Sequence, residues 1–384
     1  NKHSIKAHLL WSALILLALL AVCAIPFALG QRSKQSSQIQ KVLGAGSAVV
    51  QQKKSEPADT ETGPEKYMVR MMPAALPGPV RLPGFEYPSL VRSLLPSVNA
   101  LINNNNGASC TQGFTQSETT VVSFASTIVA GFNDSGSFSV SSNQFTGWSR
   151  STDSGATWTD GGLLPASAGG DAGDPVLARD STTGRIYFAT LGFSVGTIQV
   201  FRSTDNGATW LAPINGTPGG ASEDKEWITV DNFVGVGNGN VYLVSRNFGA
   251  GNGIYLYRST DGGNTFGPSG GTLIVSGSPT NVQGAYVTVS PDHSVHAYWY
   301  HNGGSLNVRK STDQGVTFGA PVTIVSSLST ATNGDLGLTG TLNGGGTLGF
   351  RSNTFPHAAV NPVSGNIYVA YNESPGGGDK ANIF

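Results

Sequence analysis

The chain has 384 residues, with 22 Lys+Arg against 23 Asp+Glu, a formal net charge of −1 and only 12% charged residues. This balance excludes a general nucleic-acid binder, which needs a basic surface excess, and also a charge-driven disordered chain. The two cysteines, Cys23 and Cys110, lie too far apart in sequence for a zinc cluster or a disulfide-stapled small fold.

Lys2 and Lys6 precede an uncharged run over 9–30 that contains Leu-Ile-Leu-Leu-Ala-Leu-Leu. The basic start, Pro26 and the small residues of Ala28-Leu29-Gly30 read as an export signal with a cleavage site. The run is also long enough to be a retained anchor. Either way segment 1–30 exports the rest to the cell surface or beyond, and the membrane enters only through it. Residues 31–113 read as a Pro/Gln/Ser-rich linker and lead-in, with at most a short helix near 89–95.

From residue 114 the chain repeats itself. Ser151-Thr152-Asp153-Ser154-Gly155-Ala156-Thr157-Trp158 returns as Ser203-Thr204-Asp205-Asn206-Gly207-Ala208-Thr209-Trp210. It returns again at 259–266, with Asp261, Gly263 and Phe266, and at 311–318, with Asp313, Gly315 and Phe318. The spacings are 52, 56 and 52 residues, which marks a repeat architecture. The Asp suits turn amides, the Gly a positive φ, and the Trp or Phe an apolar gap beside the hairpin. The residue before each copy is basic: Arg150, Arg202, Arg258 and Lys310. Alternating segments precede each copy, at 176–180, 184–191 and 197–202, at 227–231, 240–247 and 253–259, and at 285–290, 294–301 and 305–310. A short strand follows each turn, and helical periodicity is absent. The pattern predicts an all-β fold, a β-propeller of four-stranded antiparallel blades over 114–384.

The repeated octapeptide resembles the Asp-box, or BNR, repeat of the sialidase superfamily, over about 70% of the chain counted from residue 114. The likeness is to exported bacterial-type exo-alpha-sialidase-like proteins. It implies a six-bladed propeller, so the chain is expected to stop inside a fifth blade that opens at Phe355-Pro356-His357. It also implies action on extracellular glycans, with a non-catalytic glycan- or protein-binding propeller as the alternative. No cofactor is implied. The Asn/Asp/Gly-rich loops suit Ca²⁺ only in composition, without a spaced ligand signature.

Strand order puts the repeated turns on one face and the starts of first strands, with the ends of second strands, on the other. A turn device present in every blade is framework, whereas a site breaks the symmetry. The symmetry-breaking residues are Glu118, Asp134, Asp174, Asp224, Glu226, Arg246, Gln283, His301 and His357. A sialidase pattern implies an acid/base carboxyl, a Tyr nucleophile with a Glu beside it, and three arginines on the substrate carboxylate. On position, Asp134 is the expected acid/base, Glu226 the partner of the nucleophile and Arg246 the anion clamp; the others would contact substrate. Only Arg246 and Arg351 reach the mouth by register, and Arg81-Leu82-Pro83 falls in the linker. No metal site is expected: His293 and His296 flank a turn without a third ligand. Gly192-Phe193-Ser194-Val195-Gly196 lacks the strand–turn–helix context of a nucleophile elbow.

Overall fold

The computed structural model describes residues 100–103, 116–249, 251–278, 281–302, 304–328, 334–341, 347–352, 354–373 and 382–383. The leader, the linker apart from residues 100–103 and any helix near 89–95 lie outside these residues. Among the described residues no helix is long and apolar enough to cross a membrane.

Four antiparallel sheets follow one another along the chain, each with its strands in sequence order. The first holds β1 (Gln116–Phe124), β2 (Thr127–Asp134), β3 (Thr146–Ser151) and β4 (Thr159–Leu163). The second holds β5 (Val176–Arg179), β6 (Ile186–Leu191), β7 (Ile198–Ser203) and β8 (Leu211–Asn215). The third holds β9 (Glu223–Val230), β10 (Val241–Asn247), β11 (Gly253–Ser259) and β12 (Gly267–Ser276). The fourth holds β13 (Val282–Val289), β14 (Val295–His301), β15 (Ser305–Ser311) and β16 (Val322–Val325). First strands pack on first strands, β1 on β5, β5 on β9 and β9 on β13, so the sheets stand as propeller blades with these strands innermost.

Two features depart from the sequence reading. A six-residue helix, α1 (Ser135–Val140), interrupts the first blade between β2 and β3. It is too short for an apolar period to reveal it, and it exists because Asp134 caps its first amides. A hairpin of β17 (Gly334–Thr341) and β18 (Thr347–Ser352) also stands between the fourth blade and the fifth unit. That fifth unit opens as β19 (His357–Val360) and β20 (Ile367–Ala370), with β19 against β13. A short pair, β21 (Asn372–Glu373) and β22 (Asn382–Ile383), follows.

The core lies between blades. Val129, Trp148, Phe188, Phe201 and Trp210 join the first to the second. Tyr187, Val200, Ile228, Leu243 and Phe266 join the second to the third. Tyr242, Leu256, Val287 and Trp299 join the third to the fourth, with Phe318 packed against them. Trp210, Phe266 and Phe318 of the repeated turns thus each close the seam with the preceding blade. The basic residue before the turn works in the opposite direction. Arg150 Nε donates to the Asn206 carbonyl at 2.9 Å, Arg202 to the Asn264 side chain, and Arg258 to the Gln314 carbonyl at 2.8 Å. Each of these acceptors belongs to the next blade's turn. Lys310 instead pairs with Asp292 at 3.2 Å.

Within the turns the same bonds recur. Asp153 accepts from Ser151 Oγ at 2.8 Å, Thr157 N at 2.8 Å and Thr157 Oγ1 at 2.6 Å. Asp205, Asp261 and Asp313 repeat the set. The fifth residue, Gly155, Gly207, Gly263 or Gly315, has φ between 75° and 87°, which only glycine adopts freely.

Candidate functional site

The strand pairings put the starts of first strands beside the ends of second strands. Ser117 faces Asn133, Asp224 faces Arg246, and Gln283 faces Tyr300. This rim is the mouth. At it, the innermost strand of every blade carries the same irregularity. Between Ser117 and Thr120, between Asp224 and Trp227, and between Gln283 and Tyr286, the first strand has one residue more than its partner. The second blade does likewise: Leu191 N donates to the Gly173 carbonyl, while Val176 already faces Ala189. The first bulged residues are Glu118 (φ 51°), Asp174 (φ 54°), Lys225 (φ 48°) and Gly284 (φ 69°). Three of the four are not glycine, and all three are charged. A left-handed backbone costs such residues of order 1 kcal/mol or more each. A bulge re-aims side chains, and here it turns charged groups toward the axis.

The bulge also explains why the apolar alternation located β9 and β13 late, at Trp227 and Ala285. It shifts the pleat by one residue, so the residues before it fall out of phase.

The charges converge. Asp174 is half-buried; burial, followed by the hydrogen-bonded and negatively charged Glu118, pushes its carboxyl up to about 7. Burial and then Asp174 raise Asp224, whose Oδ1 accepts from Lys225 N at 2.9 Å and whose carboxylate is bonded by Gln283. Glu226, the second bulged residue of β9, is 1% exposed, and neither of its oxygens has a hydrogen-bond partner among the described residues. Burial, then the Asp174 charge, holds it well above the usual glutamate range. Glu223, one turn of the pleat away, is satisfied by Ser245 at 2.7 Å and Asn247 at 2.6 Å and belongs to the framework.

Beside the carboxyls runs an aromatic wall, built from the residues that follow the bulges of the third and fourth blades. Trp227 and Tyr286 stack with ring centres 4.1 Å apart, and His357 of the fifth unit meets them at 5.7 and 5.3 Å. Burial pushes the Tyr286 hydroxyl up to about 12. Burial, then the Lys225 charge, lowers His357.

Of the residues singled out in the sequence, the structure brings Glu118, Asp174, Asp224, Glu226, Gln283 and His357 together. Asp134 lies on the rim and is fully occupied: it accepts from Gly136 N, Ser137 N, Ser137 Oγ and Gln116 Nε2 at 2.7–3.1 Å as the cap of α1. Arg246 is 2% exposed, and its terminal nitrogens donate to the Asn247 and Gly253 carbonyls and to the Asn252 and Asn281 side chains. It ties loops of the third blade together and stacks on Phe248. His301 ends β14, opposite Val282. The sequence reading missed Lys225, Trp227 and Tyr286 as site residues. Their signal, a residue pair displaced by one position from the alternation, is visible only once the strand pairing is known.

Other polar groups are framework. His293 pairs with the buried Asp231 at 2.8 Å, and Ser194 Oγ donates to the Ala168 carbonyl. Two clefts of about 440 and 180 Å³ on the opposite face are lined by corresponding turn residues, Arg258, Thr260 and Thr265 in one and Arg150, Thr152 and Thr157 in the other. Repetition between blades marks them as seams. Among the described residues no group of three His, Cys, Asp or Glu is placed to hold a metal ion.

No family model matches the chain, and no curated protein matches it. Among solved structures it is similar to a protein of unknown function from Dyadobacter fermentans, at 18% identity over 72% of this chain and 78% of that one, TM-score 0.48. It is similar to the intramolecular trans-sialidase from Ruminococcus gnavus at 14% identity over 74% and 86%, TM-score 0.42. It is also similar to an alpha-L-arabinofuranosidase of Fusarium graminearum at 14% identity over 70% and 80%, TM-score 0.43. None of these likenesses bears on the residues at the mouth.

Proposed function

We propose that the mouth of this propeller is a carbohydrate site with the general-acid chemistry of glycoside hydrolysis, acting on glycans outside the cell. The observation that carries the reading is the Asp174 carboxyl, raised to about 7 and hydrogen-bonded to Glu118. Two carboxyls in contact resist ionising together, so the pair holds its proton up to about pH 7. A proton held near pH 7 is what a glycosidic oxygen needs as its bond breaks.

In this reading Asp174 gives its proton to the leaving-group oxygen. Water adds to the anomeric carbon and passes a proton to a second carboxylate, for which Asp224 is the candidate. The stacked Trp227–Tyr286 pair offers an apolar face to the sugar ring. Export by segment 1–30 supports the extracellular setting, and the repeated turns support kinship with Asp-box propellers. A sialidase-type reaction is the finer variant which that kinship suggests.

A panel of fluorogenic glycosides, a sialoside included, tests the proposal. One class is expected to be hydrolysed, with activity falling about 10²–10⁴-fold in Asp174→Asn. A second reading, binding without turnover, is favoured by the engagement of both terminal nitrogens of Arg246 within the protein. It predicts no hydrolysis but glycan binding that weakens in Trp227→Ala. Folded protein that neither hydrolyses nor binds any glycan would overturn both readings.

A further inference from the structure

The mouth carries four carboxyls, Glu118, Asp174, Asp224 and Glu226, against one ammonium, Lys225. The ion pairs among the described residues, His293–Asp231 and Lys310–Asp292, leave all of these out. Lys225 Nζ lies 5.9 Å from the Trp227 ring centre and 5.8 Å from that of Phe355, seated over aromatic faces and not on a carboxylate. Glu226 is buried with both oxygens unpartnered. Of the two arginines that register brings to this rim, Arg246 gives its terminal nitrogens to four oxygens of its own loops and of Asn281.

We infer that the mouth selects sugars bearing a free amine and rejects sugars bearing a carboxylate. The inference rests on the carbohydrate reading above and names its substrate class. An incoming ammonium supplies the donors that both Glu226 oxygens lack, and its positive charge lets the buried carboxyls give up their protons, which lowers the cost of burying them charged. An anionic sugar meets the opposite: a surplus of carboxyls, an Arg246 whose terminal nitrogens are already taken, and one lysine already seated on aromatic rings. The Trp227–Tyr286 wall holds the ring while the carboxyls read its substituent.

Calorimetric titration of the full chain with three oligosaccharides of equal length tests this: chitosan (free amines), chitin (acetylated amines) and oligogalacturonate (carboxylates). Chitosan is expected to bind about tenfold more tightly than chitin, and oligogalacturonate at least tenfold more weakly. Both gaps should shrink as salt rises. The chitosan-to-chitin ratio should fall in Asp224→Asn and rise in Lys225→Met. The wild-type ratios alone decide the matter if either variant fails to fold. Equal affinity for chitosan and chitin, or tight binding of oligogalacturonate, overturns the inference while leaving the carbohydrate reading standing. A lysine oligomer binding as tightly as chitosan overturns it too, since the mouth would then read charge without sugar. If no oligosaccharide binds, the carbohydrate reading itself fails, and the inference with it.

Discussion

Glu226 and Asp174 show how one bulge sets the chemistry of single residues. Lys225 turns the strand through a left-handed conformation, and the next side chain, Glu226, is delivered into a wall that offers it no donor. Its pKa is therefore higher folded than unfolded, so the folded state binds the extra proton and stability falls as pH rises from about 4.5. Glu226→Gln is expected to stabilise the protein by about 1–2 kcal/mol at pH 7 and to do little at pH 4, as urea titrations at the two pH values would show. An equal effect at both would mean that Glu226 is not the titrating group. Asp174 makes a kinetic prediction. If it is the general acid, kcat/KM falls tenfold per pH unit above its raised value of about 7. A profile that rises through pH 8 would exclude it as the proton donor.

At the scale of elements, the repeated turn and the repeated bulge occupy opposite ends of the blades and do opposite things. The turn spends its polar groups on itself. Slight burial pulls Asp205 upward, but the bonds from Thr209, Ser203 and Ala208 outweigh it and hold the carboxyl near 2. A carboxylate depressed on folding stabilises above its unfolded value and loses that contribution as pH falls through its folded one. Asp205→Ala should therefore cost about 1 kcal/mol at pH 7, a modest figure because the turn is exposed, and the variant and wild type should converge near pH 2. The bulges gather carboxyls against one another and leave Glu226 without a partner among the described residues. That contrast separates framework from site more sharply than residue type does, since both ends are rich in Asp. Asp134 illustrates the point: its position at the end of β2 suits a catalytic acid, yet α1 claims both of its oxygens.

Across the whole molecule, stability resides in the seams between blades. Phe266 leaves its own blade's turn to fill the seam with the second blade, so Phe266→Ala should cost about 3 kcal/mol. Gly131 of β2 lies so close to the Phe188 ring of β6 that an added Cβ would sit 2.5 Å from it. Gly131→Ala should cost about 1–3 kcal/mol through overpacking, readable as a lower Tm with unchanged secondary structure by circular dichroism. A larger effect of Gly131→Ala on the mouth than on Tm would mean that the two innermost strands, β1 and β5, move with this seam.

The sequence by itself determined the all-β class, the blade unit and its period, the repeated turns and the face on which a site could break the symmetry. It could do so because turn chemistry and strand alternation are local, written in residues at most a few positions apart. The tertiary structure alone decided which polar groups remain open. Asp134 and Arg246 look as available in sequence as Asp174 and Glu226. What distinguishes them is whether a helix amide, a loop carbonyl, a second carboxyl or nothing stands opposite, and the partners of the first two lie from one to 35 residues away. The bulges that collect Glu118, Asp174 and Lys225 on one axis are likewise a property of strand pairing. A one-residue slip in register leaves composition unchanged but sends each side chain to the other face.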